Sequence, residues 1–169
     1  MATFGTFVSG QVLTAAELNS AGEWQSYTPT WTQSATITKT VNWARYTQLN
    51  KLVIGSIKMT ASSAGTANNK VLVGLPVAAS ANNFLMGSMT YLDSNATAGK
   101  YGYNPSAVFY ESSTTVSFSV RRTNSDVVYG VTTDDKRFGQ DFVIATSTFT
   151  GITVESSDII YVQFMYEAA

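Results

Sequence analysis

A chain of 169 residues can bury about 70% of its unfolded surface in one domain, with no need for a metal or a crosslink. It has neither cysteine nor histidine, which excludes disulfides, thiolate metal sites and every nucleophilic triad or dyad built on those residues. Charged residues are only 12% of the chain and the net charge is −1, so its surface is rich in hydroxyls and amides and poor at gathering phosphates; nucleic acid is not an expected partner.

The chain opens with an arm. In GQVLTAAELN (Gly10 to Asn19), Thr14 is placed to cap a helix and Glu17 closes the capping box, while Leu13 and Leu18 stand at the hydrophobic-staple positions. Gly22 supplies a left-handed stop about two turns later. So short a helix is marginal alone in water and is expected to dock on a surface. The start, Met1 to Val12, has no positively charged region and is not expected to be a secretory signal; synthesis in the cytoplasm follows. No run of about 18 apolar residues occurs, so no helical membrane span is expected.

Beyond Gly22, period-two patterning dominates, bounded by Gly, Asn, Ser and Asp clusters. Strands are expected at Ser26–Trp31, Asn42–Leu49, Leu52–Thr60, Lys70–Leu75, Phe84–Leu92, Ala107–Glu111, Asp126–Val131, Phe142–Thr148 and Ile159–Tyr166. A further strand runs through TTVSFSVRR, where Val116, Phe118 and Val120 define a dry face and Ser117, Ser119 and Arg121 a wet one. Asn50-Lys51 reads as a two-residue hairpin turn, and Ser62–Asn69 and Asp93–Gly99 as polar loops. With no helices between strands, parallel βαβ units are excluded. The fold class is all-β: an antiparallel β-sandwich or jelly roll at 23–169, preceded by a helix-containing arm at 1–22.

The last strand breaks the alternation. Along IIYVQFMY, Ile160, Val162, Phe164 and Tyr166 form one face and Ile159, Tyr161, Gln163 and Met165 the other, and both are largely apolar. Such a strand is central and covered on its second face by loops, or that face meets a neighbouring subunit through Ile159, Tyr161 and Met165.

Catalytic chemistry has little to work with. A glycosidase needs two carboxylates about 5–9.5 Å apart, one with a raised pKa. Glu111, Asp126, Asp134, Asp135, Asp141, Glu155 and Asp158 are the candidates, and most lie in polar, turn-like surroundings that keep a carboxylate ionised. Asp134, Asp135 and Asp141 gather as for a hard cation, but Lys136 and Arg137 beside them point to local charge pairing, and no metal or cofactor is expected. For sugar contact, KYGYNPSAVFY offers Tyr101 and Tyr103 on one strand face with Asn104 at the turn. Trp24, Trp31 and Trp43 are expected to pack the arm on the sandwich, and any of them is also a candidate platform.

The run FVSGQVLTAAELN (Phe7 to Asn19) resembles the opening segment of bacteriophage tail-fibre and minor-tail proteins. EWQSYTPTWT, WARYTQLNKLVIGSIKM, VLVGLPVAAS and SSDIIYVQFMYEAA are similar, in that order, to the β-domain that often follows. Tyr91 to Phe142 carries no motif of that family. The resemblance implies a non-enzymatic virion surface protein, trimeric, anchored through arm residues such as Phe7, Val12, Leu13 and Leu18. Its partners would be other tail or capsid proteins, with a host-surface glycan as a further one. A head decoration protein that stabilises the capsid and a free carbohydrate-binding module are the alternatives.

Overall fold

The computed structural model describes residues 22–67, 69–80, 86–94, 101–103, 108–118, 142–144, 147–149 and 153–169, together with 10, 12, 14 and 15; at 86, 101–103, 108–110, 142–144 and 147–149 only the backbone is described. The strands are β1 Gln25–Ser26, β2 Trp31–Gln33, β3 Ala35–Thr36, β4 Lys39–Leu49, β5 Leu52–Ala61, β6 Leu72–Gly74, β7 Met86–Asp93, β8 Tyr101–Tyr103, β9 Val108–Ser112, β10 Thr115–Phe118, β11 Phe142–Ile144, β12 Ser147–Phe149 and β13 Ile159–Glu167. They form a six-stranded sheet in the order β1-β4-β5-β13-β7-β8, a five-stranded sheet in the order β3-β2-β6-β10-β9, and the pair β11-β12. Every pairing is antiparallel. Among the described residues only Ala15, directly after Thr14, is helical, and the rest of the expected helix lies outside them.

The two larger sheets share one core. Val53, Ile57, Met59, Met89, Tyr91, Ile160, Val162, Phe164 and Tyr166 come from the six-stranded sheet; Trp31, Val73, Val116 and Phe118 come from the other. Each such side chain contributes about 1.5–3 kcal/mol on burial. β5 alternates strictly, with Val53, Gly55, Ile57, Met59 and Ala61 inward. At Gly55 the side chain is missing because Phe164 fills its place: a Cβ there would lie 2.2 Å from the Phe164 ring.

β13 is central, paired with β5 from Ile159↔Thr60 to Glu167↔Leu52 and with β7 from Ile159↔Leu92 to Met165↔Met86. Its even-numbered residues are buried, whereas Ile159, Tyr161 and Met165 are half-buried and Gln163 is exposed. The turn at Asn50-Lys51 joins β4 to β5 as expected, with Asn50 in the left-handed region at φ 53°.

Four expectations need correction. Ser26–Trp31 is not one strand: Gln25 and Ser26 pair with β4, Trp31 and Thr32 pair with β6, and the chain between them crosses from one sheet to the other at buried Pro29. Phe142–Thr148 is two short strands paired with each other, Phe142↔Phe149 to Ile144↔Ser147. Ser117 is not on a wet face; it is fully buried and donates its hydroxyl proton to Glu111. β4 begins at Lys39 and contains a bulge: Val41 faces Met59 and Trp43 faces Lys58, so Asn42 is an extra residue. The bulge reverses the parity of the strand. Counted from inward-leaning Val41, Trp43 would face the core; it faces outward instead and is 44% exposed.

Candidate binding surface on the outer face of the six-stranded sheet

The register of four adjacent strands arranges the outer face as transverse rows. Trp43, Lys58, Tyr161 and Thr90 are aligned in one row, and Arg45, Ser56, Gln163 and Ser88 in the next. Ile54 and Met165 follow, level with Thr47. Neighbouring strands lie about 4.8 Å apart, so the Arg45–Ser88 row spans roughly 14 Å. An open groove of about 540 Å³ lies over the Ser56, Gln163 and Ser88 part of that row, lined also by Trp24, Ile54 and Met165.

Cations and aromatic rings alternate on this face. The Lys58 ammonium sits 5.2 Å from the Trp43 ring centre and 5.0 Å from that of Tyr161, and those two rings are 6.1 Å apart. The Arg45 guanidinium lies 5.1 Å from the Trp24 ring. Each such contact contributes about 0.5–1 kcal/mol at an exposed site. Neither Arg45 nor Lys58 has a carboxylate partner among the described residues; the ion pairs there are Lys51–Glu167 and Lys70–Glu111. Ser56, Ser88 and Gln163 likewise have no side-chain hydrogen bond among the described residues.

The chain arrives at this face from the arm. Gly22, left-handed at φ 75°, lies against Thr47 and Leu49, and two residues later Trp24 is 49% exposed at the groove.

The carboxylates placed by the structure are building elements. Asp158 is fully buried and accepts from the Tyr91 hydroxyl, from Ser94 N at 2.8 Å and Oγ at 3.0 Å, and from Glu155 N at 2.7 Å. It is therefore not the solvated turn carboxylate expected. Burial and this hydrogen bond push the Tyr91 hydroxyl far above the ordinary tyrosine range. Glu111 accepts from Lys70 and Ser117. Asp126, Asp134, Asp135 and Asp141 lie outside the described residues.

Of the residues singled out from sequence, Tyr161, Met165 and Ile159 share the outer face. Val12 is 83% exposed, while Phe7, Leu13 and Leu18 lie outside the described residues. Tyr101 and Tyr103 pair through their backbone with Asp93 and Tyr91 at the edge strand β8; their side chains and Asn104 lie outside the described residues. Trp31 is not a platform, because it is fully buried in the core. Sequence alone does not group Trp43 with Lys58 and Tyr161, or Trp24 with Arg45; the one available signal is Trp43 in a strand that also carries the isolated Arg45.

Comparison of the chain with protein families, curated proteins and solved structures finds no match.

Proposed function

We propose that the chain is a non-enzymatic structural protein of a bacteriophage particle surface, of tail-fibre or minor-tail type. Residues 1–22 attach it, and the β-domain at 23–169 faces outward and touches the host surface. Two features of the sequence support this: the order of segments resembling that family, and a charge-poor composition without histidine or cysteine. The structural observation that carries it is the contiguity of arm and open face. The chain leaves the arm at Gly22 against Thr47 and Leu49, and within two residues contributes Trp24 to the groove. Exposed Trp24, Trp43, Leu49 and Leu52 lie on that same side, an apolar display suited to contact with another molecule. Attachment from this edge leaves most of the face open.

The second reading, a head decoration protein, is favoured by the architecture of the described residues, a short sandwich without a shaft. The two differ in number. Quantitative mass spectrometry of purified particles is expected to find the chain at a few copies per particle; hundreds of copies would favour decoration of the head. Absence from particles would overturn both.

A further inference from the structure

We propose that the groove on the outer face of the six-stranded sheet is a binding site for an acidic saccharide, laid across the strands along Arg45, Ser56, Gln163 and Ser88. This deepens the host-surface reading above and rests on it. The middle row supplies hydroxyls and an amide with no side-chain partner among the described residues. Burying them under an apolar partner would leave them unsatisfied, at a cost of about 1–3 kcal/mol per group. A ligand rich in hydroxyls satisfies them. The flanking rows bound the middle row: on one side Trp43 and Tyr161, 6.1 Å apart with the Lys58 ammonium over both rings, bring apolar surface and charge together, and on the other Ile54 and Met165 line the groove.

Charge selects among saccharides. Arg45 and Lys58 are diagonal neighbours across β4 and β5, about 7–8 Å apart at the backbone. Both are held over aromatic rings and neither meets a carboxylate among the described residues. Glu167, the one acid on the outer positions of β13, stands at the far end of the strand and pairs with Lys51 at 3.9 Å. The face is thus locally cationic on a chain of net charge −1. A carboxylated sugar supplies the missing anions. A second copy docked face to face does not, because a two-fold contact sets the same patch against itself and opposes like charges.

The test uses the full chain, with oligogalacturonate, oligosialate and methyl-esterified oligogalacturonate as probes in isothermal titration. Binding to at least one acidic probe is expected. Lys58→Met, Arg45→Met and Trp43→Ala are each expected to weaken it tenfold or more, with thermal unfolding close to that of the parent chain. The ester is expected to bind at least tenfold more weakly than the acid, and rising salt to weaken the acid alone. Failure to bind either acid, equal affinity for acid and ester, or indifference to Lys58→Met overturns the proposal. So does a change of oligomeric state in Trp43→Ala without any saccharide binding, which would make the face a subunit contact. Detection of the chain in purified particles is independent of all these outcomes, so the site can fail while the virion assignment stands.

Discussion

Asp158 holds three parts of the chain to one carboxylate: Tyr91 from β7, Ser94 just beyond it, and Glu155 in the turn before β13. Removing its side chain by Asp158→Ala orphans a buried hydroxyl and two backbone N–H groups, and is expected to cost about 3–5 kcal/mol in urea unfolding. A loss below about 1 kcal/mol would show that water replaces these bonds. Tyr166 is a second buried anchor, donating to Val77 O at 2.7 Å, and burial pushes its hydroxyl up to about 12. Burial also raises Tyr27, and with its bond to Asp158 it raises Tyr91. The folded state therefore keeps these three neutral where the unfolded chain ionises at about pH 10. Their contribution is complete below that pH and is lost as pH rises through about 12 for Tyr166. Thermal midpoints are expected to fall above pH 10, with phenolate absorbance from these residues appearing together with unfolding. Full tyrosine titration in a chain that keeps its circular dichroism would contradict this. None of these roles was legible from sequence, because Asp158 follows two serines as a turn acid does, and its partner Tyr91 is 67 residues away. Ser117 misleads for a different reason: the alternation around it is regular, and the pairing of β9 with β10 brings the nearby Glu111 to its hydroxyl.

At the scale of elements, β5 and β13 were readable because the inward side of each stays apolar over its length, and burial follows that pattern. β4 was readable only in part. Its bulge at Asn42, whose Oδ1 accepts from Thr60 Oγ1 at 2.9 Å, changes the side to which every later residue points relative to Val41. The position of Trp43 beside Lys58 depends on that extra residue, so no count along the sequence could place the candidate site. The crossing at Tyr27–Thr30 is not legible in the sequence, because aromatic and threonine residues suit a strand, while sheet membership is set by partners far along the chain. Gly55 tests the packing between two central strands. Gly55→Ala places a methyl group where the Phe164 ring lies and is expected to cost about 1–3 kcal/mol, read from the urea midpoint. An unchanged midpoint would mean that the ring moves aside freely.

For the molecule as a whole, the proposed reading divides the work between the sandwich and the arm. The C-terminal strand closes the central position of the larger sheet, and the last residues are tied down by Ala168 N to Lys51 O at 2.7 Å and Ala169 N to Ala78 O at 2.9 Å. Among the described residues, none before Tyr27 belongs to that core: the inward set runs from Trp31 to Ala168 with Tyr27 packed against it. The β-domain is therefore expected to fold without the arm, as attachment through the arm requires. The most direct measurement compares particles assembled with the full chain and with a chain lacking residues 1–22, counting copies per particle by quantitative mass spectrometry. The truncated chain is expected to stay folded and soluble, with its thermal transition retained, and to be missing from particles. Incorporation of the truncated chain at the copy number of the full one would contradict attachment through the arm.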